Sequence, residues 1–247
     1  MKRMRSIALC MVAALAMSLA AVSVASAATQ PVYYGIAEVG KTVTAKKLSG
    51  TLGIAFLEGK TSKAKIECKK GTATGEINSA TTTVNNVTTF TECAVSGLPC
   101  KSAGQPEGTI QTAALEGETG AASATLPGVR LFAPGQSGKE PKTGALAEFE
   151  CGGVVSVVVT GSVIGSLSGA QGKTAEEGKF ATSTKLTFAQ AAGKQKYEKF
   201  LEGSCKVGNC GPEQLTSTIN GTPELGGQSV IATLKTVPFA GQLGVTK

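Results

Sequence analysis

Glu148 and Glu150, in the segment AEFEC, stand two residues apart. On a strand such neighbours project to the same face, within reach of the carboxyl spacing a retaining glycosidase uses. Glu116 and Glu118 repeat the spacing. With a lysine or Tyr197 as a further proton-transfer group, Glu148 and Glu150 form the candidate constellation of a Glu-dependent glycan hydrolase or lyase. The opposing reading is a strand with one wet face, because the two glutamates alternate with Phe149 and Cys151.

Composition favours the wet face. The chain has no His and no Trp, and all 17 acidic residues are Glu. A Ser-His-Asp triad, a Cys-His pair and a His-ligated zinc centre each need an imidazole. Calcium loops of the EF-hand type need Asp at their first ligand positions. Sugar-binding grooves commonly stack a ring on Trp or Tyr, and only Tyr33, Tyr34 and Tyr197 are available. No catalytic residue, cofactor or metal site is therefore expected.

Two motifs match by spacing and fail by context. Gly35 to Thr42, GIAEVGKT, satisfies the phosphate-cradling pattern GxxxxGK[ST]. Such a loop must open a helix, whereas Thr42-Val43-Thr44 prefers a strand, and there is no Asp to hold magnesium. Ser62 to Lys65, SKAK, matches the SxxK of penicillin-recognising enzymes, but its lysine enters a strand and the companion motifs are missing. Asn86-Val87-Thr88 and Asn220-Gly221-Thr222 fit the glycosylation sequon and read better as strand and turn.

The cysteines are the remaining reactive groups. Cys10 falls in an N-terminal segment in which Lys2, Arg3 and Arg5 precede an apolar run ending at Ala25-Ser26-Ala27, an export signal expected to be cleaved after Ala27. The remaining 220 residues carry 21 Lys or Arg, 17 Glu and six cysteines. An even cysteine count in an exported chain reads as disulfides. Cys93 and Cys100 bracket AVSGLP, and Cys205 and Cys210 bracket KVGN, turn-rich loops short enough to close locally. Cys68 and Cys151 are then left to each other. Ile66 shares a face with Cys68 and Phe149 with Cys151, so both sulfurs are expected to point into the core. The expected pairs are Cys68–Cys151, Cys93–Cys100 and Cys205–Cys210. Four thiolates could instead hold zinc, but the spacings are loose and export favours oxidation.

The elements that position these groups read as β throughout. Thr, Val, Gly and Ser dominate, helical periodicity is absent, and Gly, Pro and Ser punctuate short strands about every ten residues. The fold class expected is all-β, a mainly antiparallel β-sandwich or partly closed barrel preceded by a cleaved helical signal peptide. The expected organisation is a signal peptide over 1–27, an N-terminal extension over 28–49 and one β domain over 50–247. GQSGKEPKTG, residues 135–144, is the most linker-like stretch and reads as a surface loop rather than a boundary. Ala191 to Lys194 reads as a hairpin tip, Lys196 to Leu201 as a strand, and Gly152-Gly153 as a turn into an apolar central strand. KIEC and EFEC, at 65–68 and 148–151, form a weak internal echo.

Arg130 is the single arginine left after cleavage, and the lysines are scattered, so nothing points to nucleic acid. No nucleotide partner and no integral membrane segment after cleavage are expected. The run IEC…TGEI…FTEC…CKSAGQPEGTI…LEGETG…LFA…AEFECGG…VTGSVIG…KYEKF is similar to a group of secreted proteins of soil actinobacteria, over roughly residues 50–205. That family carries no assigned activity, so the resemblance implies export and β structure without a mechanism; Cys205 and Cys210 lie outside the shared pattern. The function expected is a secreted, non-enzymatic structural or binding module of the extracellular space or cell wall, with an unknown cell-surface or wall ligand as partner.

Overall fold

The computed structural model describes residues 33–34, 46–79, 81–123, 126–137, 142–168, 171–172, 184–199, 212–237 and 244–246. The segment 1–27 expected to be an export signal, the GIAEVGKT motif, Cys205 and Cys210 lie outside them. Every regular element among the described residues is a strand. Strand β1 is Tyr33–Tyr34, β2 Lys46–Leu52, β3 Ala55–Gly59, β4 Lys65–Ile77, β5 Thr82–Val95 and β6 Leu98–Lys101. These are followed by β7 (Ile110–Gln111), β8 (Leu115–Ser123), β9 (Leu126–Phe132), β10 (Ala145–Cys151) and β11 (Val155–Ser168). The remainder are β12 (Gln171–Gly172), β13 (Thr184–Phe188), β14 (Gln190–Ala191), β15 (Lys194–Gln195), β16 (Leu215–Ile219), β17 (Thr222–Val237) and β18 (Gly244–Thr246). β2 begins at Lys46, inside the stretch 28–49 expected to precede the domain. Lys196–Lys199, expected in a strand, has no regular structure.

The pairings close a barrel. Strands β4, β5, β11 and β17, of 13, 14, 14 and 16 residues, run its full length, and shorter strands fill the gaps between them. At one level the ring runs β4-β5-β8-β9-β11-β13-β17-β2 and returns to β4. At the other it runs β4-β5-β6-β10-β11-β16-β17-β3 and again returns to β4. Both rings hold eight strands, all pairings antiparallel. The long strands thus change partners halfway. On β11 the change falls at Gly161, whose φ of +99° and close approach to the Gln214 carbonyl exclude a side chain.

Turn chemistry sets the hairpin registers. Ser96-Gly97, Ala192-Gly193 and Asn220-Gly221 all have positive φ at both residues, as two-residue type I′ turns require. The last of these makes Asn220 a turn residue, and Ala191 to Lys194 is the hairpin tip expected from the sequence. The interior carries Val, Leu, Ile and Phe, including Val157, Val159, Val163 and Leu167 on alternate positions of β11. The outer face of β4 carries exposed Lys65, Glu67, Lys69, Lys70 and Thr72, a polarity opposite to that of a barrel facing lipid.

Two disulfides cross the second ring, Cys68–Cys93 and Cys100–Cys151, each joining residues directly opposite on adjacent strands with Cα atoms 4.0 Å apart. They correct two expected pairs. All four sulfurs do point inward, so strand parity chose the right face. Parity, however, says nothing about neighbours. The ladder of Ala94↔Pro99 and Val95↔Leu98 brings Cys93 beside Cys100, so the four cysteines form a row across β4, β5, β6 and β10. Joining Cys93 to Cys100 would leave Cys68 and Cys151 three strand spacings apart, roughly 14 Å, beyond the ~7 Å Cα limit of a disulfide. Loop closure stabilises by roughly 3.5 kcal/mol for the 25-residue separation and roughly 4 kcal/mol for the 51-residue one.

Candidate ligand cavity

The inner side chains do not fill the barrel. A cavity of about 140 Å³ lies along its axis, lined from every strand of the first ring and from β3 and β10 of the second. Leu48, Leu52, Val129, Val163, Leu186, Phe188, Val230 and Ala232 form much of its wall and are buried. Phe90, Leu131 and Leu234 also point inward, by alternation with Thr88, Val129 and Ala232, yet are only partly buried. Apolar surface facing inward but uncovered by protein is the mark of the void. At about 24 cal/mol per Å³, an enclosed void of this size would cost at most roughly 3 kcal/mol, a large share of the ~5–15 kcal/mol that keeps a domain folded. The two disulfides offset that cost.

Among the described residues, no ionisable side chain lines the cavity. Its polar groups are few, chiefly Thr83, Asn86, Thr88, Thr112 and Gln228. The Asn86 amide Nδ2 donates to Thr83 Oγ1 at 2.9 Å and to the Leu115 carbonyl at 3.0 Å, and Thr112 Oγ1 accepts from the Thr88 amide at 2.9 Å. Asn86 therefore sits inside the barrel, where its sequon could carry no glycan in the folded chain. The strand bears a bulge there, with φ of +52° at Asn85, which turns Asn86 inward. Sequence alternation alone does not reveal that bulge, so the cavity's most polar group escapes a reading of periodicity.

The residues singled out for catalysis are elsewhere. Glu148 and Glu150 both lie on the water-facing side of β10, where Lys101 Nζ bonds Glu107 Oε1 at 2.6 Å and stands 3.9 Å from Glu150. Tyr197 instead packs against Ala122 and Ile164, in a small cluster on the outer face of the first ring. The three do not meet in a groove. Ser62 and Lys65 are likewise separate: Ser62 Oγ donates to Glu224, while the Lys65 ammonium lies 3.7 Å above the Phe56 ring. Among the described residues, no group of three or more potential metal-binding side chains converges.

A second polar cluster occupies that outer face. Arg130, fully buried, donates to Glu118 Oε2 at 2.7 Å and to Glu213, while Ser137 bonds Glu118 at 2.8 Å and Ser162 bonds Glu213. Burial works to lower the Arg130 pKa, but the Glu213 and Glu118 carboxylates outweigh it and hold the guanidinium above its ordinary value. Glu213 precedes β16, and its amide donates to the Glu198 carbonyl at 2.8 Å. The cluster thus pins residues 196–199 and 212–214 over the barrel wall. Ser137, through Glu118, and buried Lys142, 4.7 Å from the Phe132 ring, likewise hold the ends of the 135–144 stretch against the barrel, and Lys142 Nζ also donates to the Gln136 carbonyl.

Fold and cavity together define a disulfide-bonded, antiparallel eight-stranded barrel with a neutral, apolar interior. The disulfides fit folding in an oxidising compartment, and among the described residues no helix is long and apolar enough to cross a membrane. Compared with family models, curated proteins and solved structures, the chain matches none.

Proposed function

We propose that this chain is an exported, non-enzymatic binding module of the extracellular space or cell wall, with the barrel as its rigid frame. The observation that carries the reading is the cavity at the barrel's centre, whose described lining holds no ionisable side chain, while Glu148 and Glu150 lie on the other face of β10. An eight-stranded ring has room either to fill with side chains or to hold one small ligand. The export segment, the disulfides and the resemblance to secreted actinobacterial proteins support its placement outside the cell.

Fractionation of a bacterial host expressing the full chain tests the proposal. The expected product begins at Ala28, leaves the cytoplasm and is retained on purified wall polymer or recovered with a ligand. Retention in the cytoplasm, or turnover of a glycan abolished by Glu148→Gln or Glu150→Gln, would overturn it.

A further inference from the structure

We infer that the barrel interior binds one small, uncharged, mostly apolar molecule carrying a hydrogen-bond donor, about the size of a substituted benzene ring. This rests on the binding-module reading and names the chemistry of its ligand. Size comes first: the cavity measures about 140 Å³, and a dry apolar cavity of about 150 Å³ admits benzene. Charge comes second. With no ionisable group among the described residues of the wall, an ion entering the barrel would lose its hydration and gain no counter-charge from them.

The hydrogen-bond donor follows from Asn86. Both amide hydrogens are committed, to Thr83 Oγ1 and to the Leu115 carbonyl. That carbonyl can only accept, which fixes the amide's orientation. The Asn86 Oδ1 is left beside Gly75, where a Cβ would overlap it, and no donor among the described residues reaches it. A hydroxyl or N–H on the ligand supplies the missing partner. The aromatic and branched wall, with Phe90 and Phe188 among its members, suits a ring.

Calorimetric titration of the mature, oxidised chain with p-cresol, toluene and benzoate tests the inference, with thermal melts in parallel and the probe analysed after recovery. The expected result is saturable one-to-one binding of p-cresol, binding of toluene roughly 2- to 10-fold weaker, none of benzoate, and a Tm raised by p-cresol. Ala232→Phe fills the cavity and should abolish binding. Val163→Phe does the same from another wall should the first variant not fold, folding being checked by circular dichroism and intact disulfides. Asn86→Leu should keep toluene binding and lose the preference for p-cresol. Absence of saturable binding by both neutral probes, undiminished binding in a folded filled variant, or benzoate binding as tight as p-cresol would each overturn the site. Consumption of a bound probe would instead remove the non-enzymatic reading and leave the site standing. Retention on wall polymer without probe binding would remove the site and leave the module.

Discussion

Replacing Arg130 by Met tests whether the outer-face cluster is held by charge or by packing. The guanidinium has no exposure, and its carboxylate partners Glu118 and Glu213 are 8% and 0% exposed at their side chains. Met keeps much of the volume but leaves two carboxylates in a site with little water. Removing one member of a buried ion pair costs about 3–5 kcal/mol, chiefly because the remaining charge is uncompensated. For a chain of this length about 2–4 °C of Tm follows each kcal/mol, so the melt should fall by roughly 6–20 °C.

The loss should also depend on pH, with a definite sign. Without the cation, a buried carboxyl has its folded pKa raised above the unfolded value. Such a group adds stability at low pH and loses it as pH rises through the folded pKa. Arg130→Met should therefore lie closer to the parent at pH 5 than at pH 8. A compensated variant, Arg130→Met with Glu118→Leu and Glu213→Leu, should recover much of the loss, since a well-packed apolar set often matches a buried ion cluster. The assay is thermal and urea unfolding of the oxidised chain at both pH values. A fall in stability below about 1 kcal/mol, well under the buried-pair range, or equal losses at pH 5 and pH 8, would refute the reasoning.

Other parts of the fold make separate demands. Non-reducing peptide mapping should recover Cys68 linked to Cys93 and Cys100 linked to Cys151, and Cys68→Ala with Cys93→Ala should cost roughly 3.5 kcal/mol in urea unfolding; a peptide joining Cys68 to Cys151 contradicts the row of cysteines. Gly161→Ala combines a left-handed φ with a clash against the Gln214 carbonyl and should destabilise by at least about 1–3 kcal/mol, whereas an unchanged melt means β11 does not turn there. For Glu224, burial acts to raise the pKa, but hydrogen bonds from the Ser62 hydroxyl and the Ser62 and Thr61 amides prevail and lower it. Its contribution is present above the unfolded carboxyl pKa and lost as pH falls through the lowered folded one, so Glu224→Gln should cost about 1 kcal/mol at neutral pH and less in acid. A loss that grows on acidification is incompatible with that clamp.

Much of this protein is legible in its local chemistry. Thr, Val and Gly in short alternating runs specify strands because the side-chain period matches the pleat, and the glycines of Ser96-Gly97, Ala192-Gly193 and Asn220-Gly221 mark the turns because few other residues accept positive φ. The inward aim of Cys68 and Cys151 follows from the same alternation. The lack of His and Asp excludes whole mechanisms, since no geometry can supply a missing imidazole.

Only the tertiary structure decided which strands are neighbours. Closure joins β17 to β2 and β3, and β11 to β9, β13 and β16, contacts between residues far apart in the chain whose registers no local preference encodes. From closure come the row of cysteines and its two bonds, the burial of Arg130 between two glutamates, and the separation of Tyr197 from Glu148 and Glu150. The bulge that turns Asn86 inward and the unfilled axis belong to the same level. A cavity is a difference between the volume a ring encloses and the side chains that enter it, and that difference exists only once the ring has closed.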